Sequence, residues 1–270
     1  MPHPSQESPL LLREIVHGEV HFGALPGGDF AAFSERAPGK LRNNEDAAAV
    51  IPLGDECVLL VVADGLGGQP GADQASGLTI ETILSALDEA EGDPFEVLPR
   101  ALEEANALVE ELGLGAGTTI AAALVAGQQM RSFHVGDSTV AVIDSRGGVK
   151  FETVAHSPIG YALASGLLTE EEALHHPERH IISNMVGSPE MRLETGPSLR
   201  LDAEDTIVLS SDGLTDNLYR AEVSEIVRTA SLEQAAKELV DLMRVRMTGS
   251  EQDLPTKPDD GTFVLYRCDS

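Results

Sequence analysis

Basic residues are scarce in this chain of 270 residues, because 18 lysines and arginines stand against 45 aspartates and glutamates, which gives a formal net charge of −27. Such a charge repels nucleic-acid backbones and anionic lipids, so we expect neither nucleic acid nor a membrane surface as a partner. Most of the carboxylates are expected to be solvated surface groups. The remaining question is whether a few of them converge on cations.

Cysteines and long apolar runs are also few. The two cysteines, Cys57 and Cys268, form no CxxC pair, which argues against a disulfide framework or a thiolate zinc site and favours a reducing compartment. The run Leu10 to Leu12 is too short for a signal-peptide core, which needs about 7–15 apolar residues. No stretch approaches the roughly 20 apolar residues that span a bilayer. These features predict a soluble cytoplasmic protein.

No linker, repeat or low-complexity segment divides the chain. We predict a mobile N-terminal segment over residues 1–14 and a single domain over residues 15–270. Short apolar runs bounded by turn residues predict strands at 58–63, 118–125, 130–135, 139–143, 149–154, 206–209 and 262–266. Helical spacing and caps predict helices at 73–90, 94–112 and 221–229, a short one after Thr169, and one at 232–247. This order predicts an α+β fold with sheets between helical layers.

Five turns place acidic residues beside apolar strands. They are Glu45-Asp46, Asp64-Gly65, Gly136-Asp137, Asp212-Gly213 and Asp259-Asp260. One such turn is an ordinary loop signal, but carboxylates at strand ends can converge at one edge of a sheet. Like charges about 4 Å apart repel by several kcal/mol in a reduced dielectric, so bound cations are the usual resolution. Oxygen donors alone favour Mg²⁺ or Mn²⁺ over zinc.

These turns belong to a longer ordered series of motifs. The series is Asn44-Glu45-Asp46, Val62-Ala63-Asp64-Gly65-Leu66-Gly67-Gly68, Gly117-Thr118-Thr119, His134-Val135-Gly136-Asp137-Ser138, Ser210-Ser211-Asp212-Gly213-Leu214-Thr215-Asp216 and Asp259-Asp260-Gly261-Thr262. It is similar to the motif set of the metal-dependent serine/threonine protein phosphatases, the PP2C or PPM family, over roughly residues 30–268. The resemblance implies a four-layer αββα sandwich with a metal centre at one end of two antiparallel sheets.

The resemblance also implies metal ligands. Asp64 would bridge two metal ions, with the Gly65 carbonyl on one of them and Asp212 and Asp259 on the other. Asp137 would help to hold a third, weaker ion. Asp64 and Asp212 are therefore the candidate catalytic residues.

Glu45 and Asp46 would orient metal-bound waters, by the same resemblance. Two ions about 3.5–4 Å apart lower the pKa of a bridging water, and the resulting hydroxide would attack phosphorus without a phospho-enzyme. The implied activity is hydrolysis of phosphoserine and phosphothreonine in proteins.

One departure from the family pattern concerns the substrate phosphate. The family's phosphate-binding arginine usually lies five residues before the position of Asp46, where this chain has Leu41. Arg42 follows one residue later and is predicted to bind the phosphate, since guanidinium geometry suits that group. Arg36 is a weaker substitute.

A second departure concerns the last motif, where Asp259-Asp260 stands in place of an aspartate followed by an asparagine. We favour Asp259 as the ligand because it keeps the spacing to Thr262, and Asp260 is the alternative.

Residues 156–197 take the place of the family's flap, a segment beside the active site. The motif Gly136-Asp137-Ser138 also resembles the nucleophile motif of GDSL esterases, but no histidine follows His180 to act as the base. The stronger alternative is a pseudophosphatase, a regulatory binding module without turnover. The expected partner is a phosphorylated protein, for which products of a serine/threonine kinase are candidates, and the expected state is a monomer.

Overall fold

The computed structural model describes residues 8–67, 70–90, 92–113, 115–249 and 254–269. The strands in these ranges are β1 (Leu10–Arg13), β2 (His21–Leu25), β3 (Gly28–Glu35), β4 (Asp46–Pro52), β5 (Cys57–Asp64), β6 (Ile120–Ala126), β7 (Gln129–Val135), β8 (Thr139–Ile143), β9 (Val149–Glu152), β10 (Glu194–Thr195), β11 (Leu199–Arg200), β12 (Thr206–Ser210) and β13 (Gly261–Cys268). The helices are α1 (Ala72–Glu89), α2 (Pro94–Leu112), α3 (Pro158–Ala164), α4 (Glu170–Leu174), α5 (Asp212–Thr215), α6 (Arg220–Thr229) and α7 (Leu232–Met247). None of these helices combines the length and apolarity needed to cross a membrane.

The strands form two antiparallel sheets. The first has the order β1-β4-β5-β6-β7-β10, with β11 also paired to β7, and the second has the order β2-β3-β13-β12-β8-β9. Helices α1 and α2 pack on the outer face of the first sheet, and α5, α6 and α7 pack on the outer face of the second. The predicted α+β fold, an αββα sandwich, is confirmed.

Strand β5 shows how the sequence builds these layers. Leu60 and Val62 point into the core between the two sheets, whereas Leu59, Val61 and Ala63 point towards α1 and α2. Both faces of the strand are therefore buried, which explains why its sequence is apolar throughout rather than alternating. Each fully buried aliphatic side chain of this kind contributes about 1.5–3 kcal/mol.

Helix caps agree with the sequence at two places. Asp93 caps α2 by accepting the Phe95 N–H at 3.0 Å. Thr169 and Glu172 form the expected capping box at the start of α4. Helix α2 continues through Pro99.

The N-terminal part of the chain differs from the prediction. Residues 10–13 form β1, which pairs with β4 so that Leu10 lies opposite Val50 and Arg13 opposite Ala47. Leu12 is buried between the sheets. This strand lies within the segment that the sequence predicts to be mobile, and its backbone completes the edge of the first sheet. Residues 1–7 lie outside the described residues.

One edge of the sandwich collects the acidic turns. Asp46 at the start of β4 lies opposite Asp64 at the end of β5. In the second sheet, Ser210 at the end of β12 lies opposite Thr139 at the start of β8 and Phe263 near the start of β13. The turns next to these residues therefore open at the same end of the two sheets.

Candidate metal centre

The turn after β5 holds Asp64 and Gly65 rigidly. The Asp64 carbonyl accepts the Thr119 N–H at 2.8 Å, and the Gly65 N–H donates to the Glu45 carbonyl at 3.1 Å. A Cβ on Gly65 would lie 2.4 Å from the Ala72 carbonyl oxygen, so only glycine fits between α1 and the β4 turn. The close approach explains the Asp-Gly pair in structural terms.

Asp137 comes from the turn between β7 and β8. Gly136 before it adopts a left-handed φ of 97° and packs against Thr119, where an added Cβ would lie 2.6 Å from a methyl group. Ser138 after it hydrogen-bonds the Thr119 hydroxyl at 2.6 Å. Thr119 therefore joins the Asp64 turn of the first sheet to the Asp137 turn.

Asp212 and Asp259 come from the second sheet. Asp212 is the first residue of α5, directly beyond β12, and its carboxylate lies within hydrogen-bond reach of Asp64. Asp259 precedes β13. Asp46 joins the group from β4, where it accepts a hydrogen bond from the Ser211 hydroxyl at 2.8 Å. Five strand ends thus supply carboxylates to one place.

These carboxylates raise one another's pKa values. Burial, followed by the charges of Asp46 and Asp212, holds the pKa of Asp64 well above its usual range. Burial and the neighbouring Asp212 raise the pKa of Asp137 to about 7, and the same two causes raise the pKa of Asp259 to about 6. Bringing these groups together with only protons to compensate them is unfavourable.

One side chain that the sequence interpretation missed lies in this group. The ammonium of Lys257 pairs with Asp212, with Asp216 at 2.9 Å and with Asp259 at 3.2 Å. Burial lowers the pKa of Lys257, but the three carboxylates outweigh it and raise the pKa above its ordinary value. The Asp216 oxygen is paired by charge rather than by an aligned hydrogen bond.

The donor set fits divalent cations. Asp64, Asp137, Asp212 and Asp259 supply carboxylate oxygens, and Gly65 adds a carbonyl, which is the all-oxygen set that Mg²⁺ and Mn²⁺ take. The single ammonium of Lys257 balances only a fraction of this negative charge. Further positive charge is therefore what this edge of the sandwich requires.

The neighbouring Asp260 is engaged elsewhere. Its carboxylate is buried and accepts hydrogen bonds from the backbone N–H groups of Ala37 and Glu45, both at 2.7 Å, and an ion pair from Lys40. These contacts connect the end of β3 with the starts of β4 and β13. Asp259 lies beside Asp212 and 3.2 Å from the Lys257 ammonium, and its choice over Asp260 as the ligand stays a prediction.

Glu45 and Asp46 differ in placement. Asp46 lies among the carboxylates of the centre, and the charge of Asp259 contributes to its raised pKa after burial and Asp260. The Glu45 carboxylate is buried and turned towards Lys40, whose ammonium lies 2.5 Å from Oε2. The structure thus brings Asp46 to the centre and holds Glu45 at its border.

The candidate phosphate-binding arginines lie on the loop before β4. Arg42 is exposed, and its carbonyl accepts a hydrogen bond from Arg36 Nη1 at 3.3 Å. The Arg36 guanidinium is thereby directed to the loop backbone. Leu41, at the position where the family has arginine, is 97% exposed.

A second cluster lies beside Asp137. Potential ligand atoms of His134, His156 and Glu194 lie within 4.8 Å of one another. His156 Nδ1 accepts the Gly136 N–H at 3.1 Å, so His156 Nε2 carries the proton and faces Glu194 Oε2 at 3.1 Å. A neutral imidazole has one lone pair, which faces both the Gly136 N–H and, at 2.9 Å, the Asn184 side-chain amide here. The hydrogen bonds of His156 therefore argue against this residue as a metal ligand.

His156 instead joins the flap to the Asp137 turn. Its backbone N–H donates to the Gly136 carbonyl at 2.9 Å, and its carbonyl accepts the Ser183 N–H at 2.8 Å. A cavity of about 160 Å³ lies between this flap and the second sheet, and its lining includes Asp137 and Asp212. The flap, which includes α3 and α4, therefore borders the carboxylate centre.

Comparison with known proteins agrees with this geometry. Residues 39–244 match a family model described as protein phosphatase 2C. The chain belongs to the protein phosphatase 2C family. The resemblance drawn from the motifs is thereby confirmed.

Individual relatives support the assignment. A serine/threonine phosphatase stp of Listeria innocua is 30% identical over 71% of this chain and 80% of its own length. The structure of Stp1 from Staphylococcus aureus superimposes with a TM-score of 0.77 over 96% of this chain and 98% of that one, at 24% identity, which shows the shared fold.

A further structure bears on the metal. The catalytic domain of the serine/threonine protein phosphatase PstP, in complex with two manganese ions, is 26% identical, with a TM-score of 0.71, over 89% of this chain and 98% of that chain. The relatives of this PP2C-family chain are thus serine/threonine phosphatases, one of them with bound manganese.

Proposed function

We propose that this protein hydrolyses phosphoserine and phosphothreonine in proteins with the help of Mn²⁺ or Mg²⁺. The observation that carries the proposal is the meeting of buried carboxylates from five strand ends with too little positive charge to balance them. Family membership supports the same reaction.

Asp64, Asp212 and Asp259, with the Gly65 carbonyl, would hold two core ions, and Asp137 would hold a third. When bound, the ions supply a water of lowered pKa and stabilise charge on the phosphoryl oxygens. The chain's own part is to fix its ligands: Thr119 holds the backbone of Asp64, and the Ser211 hydroxyl holds the carboxylate of Asp46.

Arg42 is proposed to bind the phosphate. Its exposure leaves the guanidinium accessible on the β4 loop, whereas Arg36 is directed to the loop backbone. Leu41 cannot form a charged hydrogen bond with phosphate, so the binding would depend on the residue next to it.

The proposal predicts hydrolysis of p-nitrophenyl phosphate and of a phosphothreonine peptide by the wild type in Mn²⁺, with loss of activity in EDTA. Asp64→Asn should abolish this activity. Its control is Asp205→Asn, which changes a carboxylate at the other end of the second sheet and should leave the activity in place. Absence of turnover with Mn²⁺ still bound would instead support the pseudophosphatase. Activity that ignores EDTA would contradict the metal-dependent reaction.

A phosphorylated protein, including the products of a serine/threonine kinase, is the proposed substrate, and a monomer in the cytoplasm is the proposed working state. Sedimentation would test the monomer, and a phosphoproteome compared with and without the active protein would identify the substrate.

A further inference from the structure

The three carboxylates around Lys257 include two of the proposed metal ligands. The ammonium contacts Oδ2 of Asp212 and lies 3.2 Å from Oδ2 of Asp259. Asp216, at 2.9 Å, is outside the proposed ligand set. An oxygen atom that faces an ammonium at this distance is not free to bind a divalent ion on the same side.

The burial of this group makes Lys257 more than a surface ion pair. Its side chain, Asp212 and Asp216 are each less than one-fifth exposed. One ammonium lies among three carboxylates, so the lysine cancels part of the repulsion that would otherwise separate the ends of β12 and β13.

A divalent ion and Lys257 therefore compete for the same oxygens. We propose that Lys257 is a resident cation of the centre, which holds Asp212, Asp216 and Asp259 together in the metal-free protein and must leave Asp212 and Asp259 when a divalent ion binds there. The inference rests on the proposed metal-dependent function and adds a residue that sets metal affinity.

The first test is direct binding of Mn²⁺ to Lys257→Met, counted by electron paramagnetic resonance and calorimetry. Removal of the competing charge should tighten the weaker core Mn²⁺ ion by about tenfold or more, because one positive charge no longer repels it at short range. The metal-free variant should also unfold at a lower temperature than the wild type.

The matched control is Lys150→Met. Lys150 also pairs with two aspartates, Asp202 at 2.9 Å and Asp205 at 2.5 Å, but at the opposite end of β12. This control should leave Mn²⁺ affinity unchanged within about twofold, since solvent and distance screen the Lys150 charge from the metal centre. Equal tightening in both variants would show a general charge effect and overturn the inference.

A second measurement uses the wild type and does not depend on the variant's folding. Acetic anhydride labelling, read by mass spectrometry, should modify Lys257 slowly without metal and faster in saturating Mn²⁺, while Lys150 labels equally in both. Lys257 that stays protected with Mn²⁺ bound would overturn the inference.

The two hypotheses fail in different ways. Mn²⁺-dependent hydrolysis by the wild type, together with equal Mn²⁺ affinity in wild type and Lys257→Met, removes only the role of Lys257. A wild type that binds no Mn²⁺ removes both the inference and the proposed metal-dependent function.

Discussion

A lysine lies among aspartates near each end of β12, and the two groups differ in the balance of positive and negative charge. At the start of the strand, Lys150 faces the buried Asp205, which is 2% exposed, and Asp202, which is 73% exposed in its side chain. At the other end, Lys257 faces three carboxylates, and others lie beyond it.

The comparison teaches how a structural ion pair differs from a candidate functional site. At the Lys150 end, one buried carboxylate meets one ammonium, and Asp205 also accepts the Asp202 N–H at 2.8 Å. At the Lys257 end, carboxylate charge exceeds ammonium charge within a buried space. Such an excess is stable only if protons or metal ions complete the balance.

The largest effect that separates the two ends is expected from Asp64→Asn. Loss of second-layer contacts to a metal typically costs 10–100-fold, so loss of the proposed bridging ligand should lower kcat/KM by more than about 100-fold. The measurement is Mn²⁺-dependent hydrolysis of p-nitrophenyl phosphate. Asp205→Asn should retain activity, and a similar loss in both variants would break the comparison.

The second effect concerns stability at the Lys150 end. Asp205→Ala leaves Lys150 with only the exposed Asp202, and we expect it to lower the free energy of unfolding by about 2 kcal/mol, since a partly buried pair is broken. Urea denaturation in EDTA measures it, with Asp202→Ala as the control at well under 1 kcal/mol. Equal losses for both would show that burial of Asp205 does not matter.

The third effect is a pH dependence that arises at the acidic end of β12. The pKa of Asp137 is raised to about 7 and that of Asp259 to about 6, both above the unfolded value, so the folded state binds more protons. The metal-free protein should therefore lose stability as pH rises from about 4 to about 7. Urea midpoints in EDTA at pH 5 and 7.5 test this.

Mn²⁺ provides the control for that trend. Because metal ions compete with protons for the carboxylates, saturating Mn²⁺ should stabilise the protein more at pH 7.5 than at pH 5. A metal-free protein whose urea midpoint is higher at pH 7.5 than at pH 5 would contradict the excess of carboxylate charge.

The smallest effect is expected at Arg42, which lies outside the two ends of β12. Arg42→Ala should raise KM several-fold with little change in kcat, because a phosphate contact made equally in the ground and transition states affects binding alone. Steady-state kinetics with a phosphothreonine peptide measures it, with Arg36→Ala as the comparison. An unchanged KM in Arg42→Ala, with an increase in Arg36→Ala, would reassign the role.

Local sequence patterns predicted the parts of the fold that local physics determines. The apolar run before Asp64 ends in a turn because Gly65 alone fits against Ala72, and the Thr169 capping box starts α4 as expected. The α+β order followed from such elements. Strands β1 to β3 were not predicted: β1 and β3 pair with the distant strands β4 and β13, and β2 pairs only with β3.

The candidate site likewise has residues that local sequence patterns predicted and one, Lys257, that they did not. The motif spacing predicted Asp64, Asp137, Asp212 and Asp259 as ligands, since each lies next to a strand end. Lys257 stands in a loop with no periodic pattern, and its role depends on Asp212 and Asp216 from a distant segment as well as on Asp259 in its own loop. A lone lysine two residues before an acidic pair was the only available signal in the sequence.

The hydrogen bonds of His156 have a thermodynamic consequence. The Gly136 turn and Ser183 of the flap share this one residue, which donates to and accepts from the Gly136 backbone and whose carbonyl accepts the Ser183 N–H. The position of Asp137 and the order of the flap are therefore linked equilibria, and linkage is reciprocal. If a cation binds at Asp137 as proposed, a ligand that favours the flap in this arrangement strengthens that binding by the same factor by which the cation strengthens the ligand.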